Sequence, residues 1–152
     1  MAGTTNRGAF RIAQAFYRNT SIPTNLFAFL ATSAAAPTAD TNLKSDLTEI
    51  AAGNGYTAGG LSLNRNSTDF DVLTEDDTND RAFVQIKDLV WTASGGPIPA
   101  IGGGARYLPV TDDNATPANR DVIHYFDLAA DRTVSAGQSL TIQDAEIRLR
   151  NV

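Results

Sequence analysis

The run DFDVLTEDDTND gathers Glu75, Asp76, Asp77, Asn79 and Asp80 into a few residues. Oxygen donors of this kind suit calcium, but the D-x-[DN]-x-[DN]-G spacing with a closing glutamate is absent. Adjacent acids ahead of a strand also make a solvated turn that discourages edge pairing, and the spacing favours that reading. Asp112, Asp113 and Asn114 form a weaker turn of the same type. His124 is the only histidine, so no histidine pair can hold a metal. A triad built on it would need a nucleophile brought in by folding, and no G-x-S-x-G elbow is present. Val122 and Phe126 flank His124 at alternate positions, which suits a packed, hydrogen-bonded histidine. The stretch GNGYTAGG, residues 53–60, resembles a phosphate cradle, but Gly59 falls one residue late for G-x-G-x-x-G and the P-loop lysine is missing. It also does not join a buried strand to a helix, so left-handed glycines in a sheet corner account for it. Carboxylate pairs for glycoside hydrolysis are a purely three-dimensional feature. Trp91, Phe83, Tyr107 and Tyr125 suit a sugar-binding face, although aromatics on strands are core by default. No catalytic, cofactor or metal residue is assigned, and the chain is not expected to be an enzyme.

The 152 residues carry 17 acids against 12 lysines and arginines, a formal charge of −5. Such a surface repels phosphate backbones, which argues against a nucleic-acid partner. Arg7, Arg11 and Arg18 nevertheless cluster near the N-terminus, where they either solvate a helix face or pair with an acidic partner. The absence of cysteine removes thiolate chemistry and disulfides. No apolar run approaches the ~20 residues of a membrane span. LFAFLATSAAAP, Leu26–Pro37, mimics a signal peptide but starts too far from Met1 and follows Pro23. A buried strand running into a small-residue loop fits it better.

These residues need a scaffold, and the patterning supplies one. Residues 1–7 read as an arm. Residues 8–19 place Phe10, Ala13, Phe16 and Tyr17 at helical spacing with the arginines mostly off that stripe, so an amphipathic helix is expected, with Asn6 as N-cap and Asn19 at its end. Residues 25–32 read as a strand too uniformly apolar to fix a face, and residues 43–50 as a helical turn or short strand. Further strands are expected at 61–64, around 82–91, at 105–110, at 122–128 and around 140–149. The apolar alternation slips by one near Asp88 and again near Asp144, as at a β-bulge or where a strand crosses between sheets. Short strands and glycine- and proline-rich turns without β–α alternation predict a single mainly β domain, 1–152. The expected architecture is an antiparallel sandwich, jelly-roll-like, with one N-terminal helix.

Three segments carry a resemblance: LTEIAAGNGY (Leu47–Tyr56), DLVWTASGG (Asp88–Gly96) and DRTVSAGQSLTI (Asp131–Ile142). Their order resembles a pattern in bacteriophage structural proteins described as tail-fibre-like or as capsid decoration (cement) proteins, and it spans roughly residues 7–150. The resemblance implies a virion β-sandwich protein made in the host cytoplasm, without catalytic residues or cofactors. Cement proteins staple neighbouring shell subunits and often associate as trimers. The implied partners are therefore the major capsid protein, further copies of the chain, or both, with no nucleic acid, membrane or small-molecule substrate. The chain has no heptads or stalk, so a head-surface decoration role is expected over a tail, neck, baseplate or glycan-binding one. Phe10, Arg11, Phe16, Tyr17 and Arg18 are the expected partner contacts, with loops 34–46 and 95–105 as secondary contacts. The competing expectation is that the helix plugs the sandwich.

Overall fold

The computed structural model describes residues 2–150; Met1 and residues 151–152 of the expected domain and arm lie outside the described residues. The elements are β1 (Ala2–Thr4), α1 (Asn6–Arg18), β2 (Asn25–Ala28), β3 (Leu61–Asn64), β4 (Val72–Asp76) and β5 (Arg81–Ile86). They continue with β6 (Leu89–Thr92), β7 (Ala105–Thr111), β8 (Val122–Arg132), β9 (Ser139–Ile142) and β10 (Ala145–Arg150). All strand pairs are antiparallel, in a five-stranded sheet ordered β1-β8-β7-β2-β3, a three-stranded sheet β10-β5-β4 and a two-stranded sheet β6-β9. The fold is mainly β with one helix near the N-terminus, as expected. No helix among the described residues is long and apolar enough to cross a membrane.

One core joins the three sheets. Leu30, Leu63, Leu108, Val110 and Phe126 from the five-stranded side meet Ile86, Leu89, Trp91, Leu140 and Ala145 from the other two. The uniformly apolar stretch after Asn25 has a physical reason: both of its sides are covered. Ala28 and Leu30 enter the main core, while Phe29 and Ala31 join a smaller cluster with Leu47 and Val122. The ambiguous 43–50 segment holds a single 3-10 turn, Lys44–Asp46, closed by Asp46 Oδ2 accepting from the backbone N–H groups of Asn42 (3.0 Å) and Leu43 (2.9 Å).

The two phase slips face each other. Ile86 pairs with Ala145 and Leu89 with Ile142, so the residue numbers of partners keep the same sum on both sides of the break. Only Lys87 and Asp88, opposite Gln143 and Asp144, leave the ladder. Asp144 takes a left-handed φ of 52°. Gln143 Nε2 donates to Asp88 Oδ2 (2.9 Å) and Gln85 Nε2 to Asp144 Oδ1 (3.2 Å), bridging the gap with side chains. A matched break turns the ribbon over without losing register, and apolar positions of opposite parity therefore reach the same core.

Three local expectations need correction. Residues 2–4 are not a free arm: they form the edge strand β1 on β8, with Thr4 opposite His124. Strand β8 also runs past Leu128 to Arg132. The N-cap of α1 is Thr5, whose Oγ1 accepts from Gly8 N at 2.9 Å, while the Asn6 amide donates sideways to Asp40. Thr5 wins because it is fully buried and tied to β8: its N–H donates to Ile123 O (3.1 Å) and its hydroxyl to Val122 O. Asn19 caps the other end at φ 50°, as the sequence implies.

Candidate docking surface

An amphipathic helix ordinarily lays its apolar stripe on the protein. Helix α1 does the reverse. Its only buried residue is Gly8, which sits so close to β8 that a Cβ there would lie 2.1 Å from Ile123 O. The polar flank is held by charge. Arg7 Nε lies 3.5 Å from Asp121, and Arg11 reaches both Asp121 (3.2 Å) and Asp112 (3.7 Å). Burial pushes the Asp112 carboxyl up and the Asp121 charge adds to that, while Arg11 and the backbone N–H groups of Asn114 and Asp121 act against it. Arg11 is the cation that lets two carboxylates share this corner.

The apolar stripe consequently faces outward. Phe10 is 54% exposed, Phe16 82% and Tyr17 80%, the last two stacked edge to face with centroids 5.0 Å apart. Arg18 follows in the helix's last turn, where a cation suits the carbonyl end, and it is exposed with no ion pair among the described residues. Of the five expected contacts, Phe10, Phe16, Tyr17 and Arg18 therefore stand free, while Arg11 turns inward to the body. Sequence reasoning missed the anchors Thr5, Gly8, Asp112 and Asp121. The arginine spacing of four and seven residues signals one shared helix face, but the acids that receive it lie about a hundred residues away. Of the secondary loops, 34–46 flanks the start of α1, with Asn6 N donating to Ala39 O at 2.7 Å. Loop 95–105 is pinned by Ile98, which is fully buried, and leaves Ile101 exposed.

The glycine stretch proves to be architecture. Glu49 accepts hydrogen bonds from Tyr56 Oη, Gly59 N and Lys44 Nζ, each at 2.6 Å. The Tyr56 hydroxyl in turn accepts from Leu30 N at 3.0 Å, and burial followed by the Glu49 contacts raises its pKa far above the ordinary value. Gly60, at φ 75°, leaves no room for a Cβ beside Ala28 O. The backbone amide of Gly59 is therefore occupied by the chain's own carboxylate.

The acidic run divides between strand and turn. Glu75 and Asp76 end β4, and Asp76 accepts from Asn79 and Arg81, which hold its carboxyl below the usual range. No three histidine, aspartate or glutamate residues gather as a metal-ligand set among the described residues. His124 is buried, with Nδ1 3.1 Å from Thr4 Oγ1, and burial lowers its pKa from 6.5 to about 4. It packs edge-on against Phe126 at 4.7 Å, consistent with a structural histidine.

A second apolar face remains uncovered on the three-stranded sheet. Leu73, Val84 and Ile147 align across the strands, as do Glu75, Ala82 and Leu149, on the same side as buried Ile86 and Ala145. The row starts in the core and runs out past it, so that Leu73 is 80% and Leu149 46% exposed over a concavity of about 610 Å3. Comparison with known proteins finds no family model and no curated protein that matches this chain.

Proposed function

We propose that this protein is a structural component of a bacteriophage particle, a capsid decoration protein that attaches to the assembled head through the outward face of α1. The observation that carries the reading is the inverted helix. Arg7, Arg11 and Gly8 are used to fix it on the body, and its aromatics are left for something else. A patch of exposed aromatics of this kind has the composition of a protein contact. Covering Phe10, Phe16 and Tyr17 would supply on the order of 4–6 kcal/mol of gross apolar burial. A protein that binds the assembled shell and not its separated subunits shifts the balance toward intact heads by mass action.

The test is made on purified particles of the phage that encodes the chain. Decoration predicts hundreds of copies per particle by quantitative mass spectrometry, and loss of those copies with Phe16→Asp. A few copies per particle would indicate a neck, baseplate or fibre position instead, and absence from the particle would end the proposal.

A further inference from the structure

We infer that the free edge of β4 is a docking groove for an extended basic segment of another protein, which adds to the sheet as a strand. The groove shares no residue with α1, so it stands or falls apart from the decoration role.

The backbone leaves this edge open. Strand β4 pairs only with β5, and its one other backbone bond among the described residues is the hairpin's own turn, Asn79 N to Asp76 O at 3.2 Å. A strand bonded on one side alone turns about half of its N–H and C=O groups outward. The five residues Val72–Asp76 therefore offer ~17 Å of unpaired backbone.

Side chains decide what kind of strand fits. Leu73 and Glu75 point to one face of the sheet, in the concavity that Ala82 and Leu149 also line. Leu73 is the most exposed apolar residue of that face, so a strand laid beside it continues the apolar row outward. Toward the hairpin the surroundings turn acidic, with Glu75, Asp77 and Asp80 all exposed. The single cation lining the concavity is already committed. Arg81 Nε lies 2.8 Å from Asp76 Oδ2, and its guanidinium sits 5.4 Å from the centre of the Phe83 ring. The matching strand carries an apolar residue opposite Leu73 and a lysine or arginine two positions on, opposite Glu75. A second basic residue then falls toward Asp77 and Asp80. The same acids disfavour a second copy, since pairing two β4 edges would bring like charges together in a chain that already carries −5. The acidic run thus guards the edge against its own kind and selects a partner by charge.

The experiment is fluorescence anisotropy on the full chain with an end-blocked, fluorescein-labelled peptide, Val-Thr-Leu-Thr-Lys-Thr-Arg. Saturable binding is expected, weakening roughly tenfold when glutamate replaces the lysine and arginine, and as much when the backbone nitrogens are methylated. Leu73→Asp should weaken it by a similar factor, and Glu75→Lys should reverse the preference between basic and acidic peptides. Phe16→Asp, on α1, should leave binding unchanged. All three sites are exposed, and circular dichroism verifies that each variant folds. Amide exchange should slow on binding within residues 72–76. Absence of saturable binding at millimolar peptide overturns the inference. So does equal binding of the methylated peptide, or equal binding to Leu73→Asp, either of which would mean diffuse attraction to an acidic surface. Self-association of the wild type that Leu73→Asp abolishes, with no peptide bound, would mean that another copy covers the face and equally overturns it.

Discussion

Replacing Gly8 by alanine sets two physical rules against each other. Inside a helix, alanine is favoured over glycine by up to ~1 kcal/mol, so propensity alone predicts that the variant is more stable. The structure predicts the opposite. The new Cβ would lie 2.1 Å from the backbone oxygen of Ile123, a separation that only a backbone shift of about an ångström can relieve. That shift pulls on the latch around Thr5, whose N–H meets Ile123 O and whose hydroxyl meets Val122 O. These are buried bonds, and each lost one costs roughly 1–3 kcal/mol where a polar group is left unsatisfied. Weakening two of them outweighs the propensity gain and leaves a net loss of about 1–3 kcal/mol. At roughly 2–4 °C per kcal/mol for a chain of this size, the melting temperature should fall by ~3–10 °C. Calorimetry measures the total, and amide hydrogen exchange across residues 6–18 should show the helix opening more readily than the sheets. A Gly8→Ala protein as stable as the wild type, with unchanged exchange in α1, would refute the claim that close approach to β8 holds this helix.

Two further outcomes follow from buried polar groups. His124 binds its proton less readily folded, at about 4, than unfolded, at 6.5, so its contribution is intact above pH 6.5 and lost as pH falls toward 4. Denaturant titrations should show a loss of ~3 kcal/mol across that window, and His124→Asn should flatten it; a wild type equally stable at both ends contradicts the burial of the ring. Tyr56→Phe leaves the amide of Leu30 and one contact of Glu49 unanswered. It should cost about 1–3 kcal/mol in urea unfolding, and a neutral result would mean that the glycine corner is held by its backbone alone.

Much of the fold was legible because it is written in local alternation. The phase slip from Ile86 to Leu89 is visible in one strand, and the slip near Asp144 in another. That the two lie opposite each other is not, since strand pairing is a long-range fact. The helix shows the same limit. Its apolar stripe and its arginine flank can both be read from residues 6–18, but a stripe does not say which side the body takes. Gly8, with a flat surface for β8, and Asp112 and Asp121, waiting across the fold, decide that. Small residues hid β1, because Ala2 and Gly3 have no strand signature of their own and pair only because β8 offers an edge. The glycine stretch was rightly read as backbone geometry, yet the role of Glu49 in holding it emerged only from contacts with residues on both sides.

The matched break at Lys87–Asp88 and Gln143–Asp144 bears on how this molecule can change over evolutionary time. Segments 81–92 and 139–150 keep one register through the turn-over. A single-residue insertion in either would throw every apolar pair beyond it onto the wrong side. Such a change is tolerable only with a compensating one in the opposite strand, some fifty residues away. Among homologues, length changes at these two places should therefore arrive together or not at all.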